Sequence, residues 1–169
     1  MNLINGMPAH VLLVHVVVVL VPLTALALVT AALWPRAARR LGPLLPMLAL
    51  VALVSVPLTT HAGEWLERHV DDNPLVHRHT ELGDGLLPWA LGLFVLAAVV
   101  WWASRRAPAD PRQDNTRWTA LPVRIIVGLL SLGIAVGAVV DVYRIGDSGA
   151  KAAWRDAYSK AATGPKHGS

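Results

Sequence analysis

The chain contains no cysteine and few charged residues. The absence of cysteine excludes disulfides, covalently attached c-type haem, iron–sulfur clusters and thiolate metal sites. Only 15% of the 169 residues are charged, against about 25% in an ordinary soluble domain, while 54% are hydrophobic. Because the missing charge reflects long apolar runs, the composition predicts an integral membrane protein, with a single domain over residues 1–169.

The N-terminal segment lacks the features of a cleavable signal peptide. Residues 1–9 contain no lysine or arginine, and the apolar run that follows continues to Leu33 instead of stopping after a short core. We therefore expect this segment to remain as a membrane span. The net charge of +4 comes mainly from arginines beside the apolar runs, which indicates topology signals and not a nucleic-acid-binding face.

Four apolar runs are long enough to cross a bilayer, which takes about 20 residues per helix. The predicted spans cover about residues 8–34, 44–61, 85–104 and 121–143. Pro22 is expected to kink the first span and Pro35 to end it, while Pro74 suits the first turn of the helix that leads into the third span. The predicted fold class is all-α, an integral membrane four-helix bundle.

The C-terminal region is predicted to add a short interfacial helix. Gly146 is expected to end the fourth span, and Ser148 to cap an amphipathic helix over about residues 148–162. Its apolar face would consist of Trp154, Ala157, Tyr158 and Ala161. A helix of this kind lies on the membrane surface, and the tail at 163–169 is predicted to be disordered.

Gly133 and Gly137 lie four residues apart in the fourth run. This spacing of small residues lets two membrane helices approach closely. Glycine is also simply common in membrane spans, and the sequence leaves both interpretations open.

The charged residues predict the orientation of the spans. The links after the first and third spans are rich in arginine, namely Arg36, Arg39, Arg40, Arg105 and Arg106. The link between the second and third spans is mainly acidic. By the positive-inside rule, both termini then face outward from a bacterial cytoplasmic membrane, although basic residues in the C-terminal tail oppose this assignment.

This topology places most histidines on one side of the membrane. At or near the outer ends of the first three helices lie His10, His15, His61, His69, His77 and His79. An ionisable residue within a membrane span marks a functional site by default, and neutral imidazole is the commonest metal ligand. His15, the deepest of them, is the leading candidate.

Two kinds of cofactor suit a histidine cluster without cysteine. A b-type haem would take two axial histidines, His15 with His61 or His79 opposite, and His10 nearby. The alternative is a divalent metal ion. Its candidate ligands are His10, His15, His61, Glu64, His79 and Glu81. The same groups also suit a purely structural role, as interhelical hydrogen bonds that fix the bundle.

Two functions follow from these interpretations. One is a haem- or metal-binding membrane protein in a redox-associated role, within a homo-oligomer or a respiratory or redox membrane complex. The other is a non-catalytic scaffold or accessory subunit. Transport is less favoured, because the second to fourth spans have no ionisable residue in mid-bilayer. No motif indicates whether the chain is an enzyme, and the expected partner in either case is the lipid bilayer.

The opening NGMPAHVLLVHVVVVLVPL resembles an uncharacterised bacterial membrane family known as domain of unknown function 2231. Members open with Gly-x-Pro-x-His, a short apolar stretch and Val-His. Weaker likenesses lie around Gly63 and Glu64, in His79 to Gly83, and in the closing VYRIGDSGAKAAW. The resemblance implies four membrane helices and no assigned reaction. Positions that match its motifs are Pro8, His10, His15, Gly63, His79, Gly146, Ser148 and Gly149; the chain departs from the pattern at Val11 and Asp147.

Overall fold

The computed structural model describes residues 3–4, 7–67, 74–106 and 121–162, and the side chains of residues 12–63, 82–106 and 122–151. Two short strands, β1 (Leu3–Ile4) and β2 (Met7–Pro8), pair antiparallel at the start of the chain. The helices are α1 (Ala9–Leu33), α2 (Pro35–Leu41), α3 (Leu44–Glu67), α4 (Pro74–Arg106) and α5 (Leu121–Ala162). The predicted all-α fold class is confirmed. The tail at 163–169 lies outside the described residues.

Helices α1, α3, α4 and α5 form a four-helix bundle. Around the bundle the order is α1, α3, α4, α5, and α5 closes the ring by packing on α1. α4 and α5 run antiparallel, since Gly85 lies beside Asp141 and Gly92 lies beside Ile134. Each of the four helices contains a stretch long and apolar enough to cross a membrane: Leu12–Leu33, Leu44–Gly63, Leu82–Arg106 and Pro122–Lys151.

Small residues fill much of the bundle core, and large ones cover its outside. Ala49, Ala52 and Ala138 are fully buried, whereas Leu26 is 67% and Leu129 64% exposed. This distribution is typical of a membrane bundle, in which small side chains let helices approach and bulky apolar side chains face the lipid tails. The apolar surface therefore lies in contact with the bilayer.

Two residues with non-helical backbone, Trp34 and Gly42, lie in the connection between α1 and α3. Trp34 precedes a proline, which disfavours helical backbone, and it is extended with φ −116° and ψ 102°. Pro35 then begins the short helix α2, where the sequence predicted only a link. Gly42 has φ +49°, in the left-handed region that favours glycine, and its N–H donates to the carbonyl of Ala38 at 3.0 Å. The chain thereby reverses direction within ten residues.

The C-terminal region differs from the prediction. α5 continues without a break from Leu121 to Ala162, so Gly146 does not end it and residues 148–162 do not form a separate interfacial helix. A single glycine costs a helix only about 1 kcal/mol relative to alanine. Ser148 does not cap a new helix; its hydroxyl donates to the carbonyl of Ile145 at 2.8 Å. The Asp147–Lys151 ion pair at 2.7 Å supports the helix across this point.

Candidate functional site

The two histidines with described side chains lie at the same depth, at the end of the bundle that we call the histidine end. His15 lies 18 residues before the end of α1 at Leu33, and His61 lies 17 residues after the start of α3 at Leu44. At 1.5 Å per residue these separations are about 27 Å and about 26 Å. Since the hydrocarbon layer is about 30 Å thick, both imidazoles lie near one of its boundaries.

Both histidines face away from the bundle core. His15 is about 160° around α1 from buried Val17, and His61 is about 180° around α3 from fully buried Ala52. Both side chains are exposed in the described bundle. His15 therefore does not line the interior of the bundle, a question that the sequence left open. The residues of α1 around His15 are apolar on every side of the helix. The sequence therefore did not show which side of α1 packs in the core and which side carries His15.

The His61 ring is held in a tautomer that leaves Nε2 able to ligate a metal ion. Its Nδ1 lies 2.9 Å from the carbonyl oxygen of Pro57, one turn earlier in α3. A carbonyl can only accept, so Nδ1–H donates and the neutral ring keeps its lone pair on Nε2. Ligating histidines typically donate their second N–H to a carbonyl or carboxylate in this way. His61 thus presents a preorganised nitrogen ligand at the surface.

The remaining candidate ligands lie outside the described side chains. These are His10, Glu64, His79 and Glu81. The side chains of His69 and His77 also lie outside that part of the chain. Within the described residues, no group of three or more histidine, aspartate or glutamate side chains is close enough together to hold a metal ion. The predicted ligand set therefore stays a prediction, with only His15 and His61 placed.

Asp141 is a polar group whose environment the sequence did not reveal. It lies within the apolar stretch of α5, and its Oδ2 is buried beside Gly85 of α4 without a hydrogen-bond donor among the described residues. A methyl group built on Gly85 would lie 3.6 Å from this oxygen, an ordinary van der Waals contact. The sequence signal was an acidic residue between valines, in AVGAVVDVY. Its burial depends on the pairing of α4 with α5, which the sequence does not show.

Replacing Asp141 by asparagine is expected to raise the free energy of unfolding by about 1 kcal/mol, because it removes a charge whose oxygen lacks a donor. Asp147→Asn is the matched control. Asp147 is exposed and paired with Lys151, so its change is expected to stay within about 0.5 kcal/mol. The measurement is reversible unfolding in mixed micelles, followed by circular dichroism. Destabilisation by Asp141→Asn would show instead that the carboxylate holds a donor or a cation.

A bundle with four apolar spans, a core of small residues and a bulky apolar exterior defines a multi-pass helical membrane protein. The profile of the family described as predicted membrane protein, domain of unknown function 2231, matches residues 6–162. The chain belongs to this family, as its opening and closing motifs indicated. Comparison with curated proteins and with solved structures finds no match.

Proposed function

We propose that the chain binds haem b or a transition-metal ion at its histidine end, in a redox-associated role in the membrane. The observation that carries the proposal is the His61 ring, exposed and held by the Pro57 carbonyl with Nε2 available as a ligand. Both described histidines face away from the core. The cofactor therefore binds on the outer surface of the bundle and not among the core side chains.

The surface around His61 favours haem over a bare ion. Leu58 and Val54 lie three and seven residues earlier in α3, on the same face of the helix, and are 55% and 49% exposed. A flat apolar macrocycle can pack on such side chains in place of lipid, whereas a metal ion makes no use of them. The second axial ligand then comes from a second copy of the chain or from His79. A haem shared between copies would make the protein a homo-oligomer.

The test is the visible absorption spectrum of the protein purified from bacterial membranes, together with elemental analysis. The expected result is a Soret band or a stoichiometric transition metal. A second ligand from another copy gives one haem per two chains, a second ligand from His79 gives one haem per chain, and a bare metal site gives one ion per chain. A preparation with neither would overturn the proposal.

A second candidate function is that of a non-catalytic accessory subunit. The observation in its favour is the absence of a three-ligand cluster among the described side chains, with bulky apolar residues exposed on every helix of the bundle. Such surfaces can pack against the helices of another membrane protein as well as against lipid. This candidate expects co-purification with a membrane partner, no cofactor, and a His61→Ala variant that loses only a surface side chain.

The end of the bundle opposite the histidine end carries Arg36, Arg39, Arg40, Arg105 and Arg106, and we call it the arginine-bearing end. We further propose that the protein lies in the bacterial cytoplasmic membrane with this end inside. Because the chain has no cysteine, single introduced thiols can report this orientation. Ala150→Cys at the histidine end is expected to react with a membrane-impermeant maleimide in intact cells. Pro43 is exposed at the opposite end of the bundle, and Pro43→Cys is expected to react only after the membrane is permeabilised. The reverse pattern would show that the arginine-bearing end faces outward.

A further inference from the structure

The end of the bundle opposite the histidines contains a cavity of about 110 Å³ between α1, α2, α4 and α5. Its floor is apolar and includes Ala31, Ala38 and Val100, all of which are buried. Two arginines, Arg39 of α2 and Arg124 of α5, line the same cavity and are exposed. Among the residues that the structure describes, no carboxylate lines it. The cavity thus joins an apolar floor to two positive charges.

These two arginines differ from their neighbours at the end of α4. Arg105 lies over the ring of Trp101 at 5.1 Å, and Arg106 lies over that of Trp102 at 3.9 Å. By contrast, neither Arg39 nor Arg124 has a carboxylate, ring or hydrogen-bond partner in the part of the chain that the structure describes. Both guanidinium groups are available to an anion.

The depth of the cavity corresponds to the lipid headgroups. Ala103 and Ser104 line it and lie in α4 directly between Trp102 and Arg105. Tryptophan side chains with adjacent arginines mark the boundary between hydrocarbon and water. An anion at this cavity would therefore lie at the level of the phosphates of a bilayer leaflet.

We propose that this cavity binds an anionic phospholipid of the leaflet at the arginine-bearing end. The phosphate lies between Arg39 and Arg124, whose planar guanidinium groups suit phosphate oxygens. The glycerol region covers the alanine and valine floor, and the acyl chains continue along the lipid-facing surface. Basic pockets between membrane helices recognise lipid headgroups in this manner.

The apolar lining of the cavity favours a lipid over free phosphate. A volume of about 110 Å³ is well below the roughly 300–1,000 Å³ of enclosed small-molecule pockets, so it accommodates only the headgroup region of a larger molecule. Free phosphate would leave the apolar floor exposed. A lipid covers the floor and the charges together, because it is apolar and anionic at adjacent points.

Native mass spectrometry of the full-length protein in detergent tests the proposal. The probes are phosphatidylglycerol and phosphatidylcholine with identical acyl chains. The wild-type protein is expected to retain phosphatidylglycerol preferentially. Arg39→Gln with Arg124→Gln should weaken its binding about 100-fold, since each charge-assisted hydrogen bond to the phosphate contributes roughly a factor of ten. The matched control, Arg36→Gln with Arg40→Gln, removes the same charge from exposed positions that do not line the cavity, and should retain near wild-type binding.

A third variant tests the contribution of the cavity's space independently of the contribution of its two arginines. Ala103→Leu fills part of the cavity while both arginines remain, and it should also weaken phosphatidylglycerol binding. Equal losses in the two arginine pairs would overturn the proposal in favour of general surface charge. Wild-type binding by a folded Ala103→Leu protein would also overturn it. Competition by inorganic phosphate at equal concentration would identify a free-phosphate site instead.

Discussion

Replacing Gly137 by alanine is expected to lower the free energy of unfolding by about 2 kcal/mol. A methyl group at this position would overlap the six-membered ring of Trp89, which packs on α5 at Gly137. Trp89 is partly buried and packs against the core, so a shift of its ring disturbs that packing. Overpacking of this kind costs about 1–3 kcal/mol.

Gly133 provides the matched control, one turn earlier in the same helix. Among the described residues, apart from the adjoining backbone of α5 and the two chain neighbours, no atom lies within 4 Å of a methyl group built there, and the position is exposed. Gly133→Ala is therefore expected to stabilise the protein by up to about 1 kcal/mol, the ordinary gain of alanine over glycine in a helix. Of the two glycines with helix-packing spacing, only Gly137 makes a close approach within the described bundle.

Unfolding in mixed micelles, followed by circular dichroism, measures both variants. Adding Trp89→Phe to Gly137→Ala should recover part of the lost stability, because phenylalanine lacks the outer ring atoms that the methyl group meets. The coupling between the two substitutions is expected to reach about 1 kcal/mol, as for other residues in contact. Equal stability of Gly133→Ala and Gly137→Ala would contradict the packing described here.

With His61 as a ligand of the proposed haem or metal ion, its replacement by alanine is expected to lower the affinity for that cofactor at least 100-fold. Even the partners that orient a ligand contribute about 10- to 100-fold to metal affinity, and a direct ligand contributes more. The measurement is cofactor content per chain, by absorption spectrum and elemental analysis after identical purification. His15→Ala on the neighbouring helix tests whether the second described histidine contributes to the same site.

Thr60→Ala is the matched control for His61→Ala. The Thr60 hydroxyl donates to the same Pro57 carbonyl, at 3.1 Å, so this variant removes a bond to that oxygen while it leaves the imidazole in place. Full cofactor content is expected for Thr60→Ala. Loss of cofactor in both variants would indicate a change in α3 itself, and retention in both would assign the ligand role to another residue.

The elements of the fold could be predicted because proline, glycine and run length act locally. Pro35 and Pro74 begin α2 and α4, and each apolar run is long enough to form a span. The orientation of side chains could not be predicted in the same way. His15 lies in a run with apolar residues on every side, so its face follows only from how α1 packs on α3 and α5.

The contacts between helices were equally beyond local reasoning. The burial of Asp141 beside Gly85 and the packing of Trp89 on Gly137 both depend on the pairing of α4 with α5. The presence of Gly146 alone does not show whether α5 ends there or continues. The small local cost of Gly146 is outweighed by the helical hydrogen bonds on both sides of it.

The length of α5 determines where the C-terminal residues are held. Its 42 residues extend about 63 Å, roughly twice the thickness of the hydrocarbon layer. A bilayer with its headgroups is about 40–45 Å thick, so with the first turn of α5 at the arginine-bearing end about 20 Å of continuous helix extends into the water beyond the opposite headgroups. It acts as a rigid spacer that sets a fixed height for residues 152–162. A molecule that engages them would meet the protein in the aqueous phase, at a distance set by the number of helical turns.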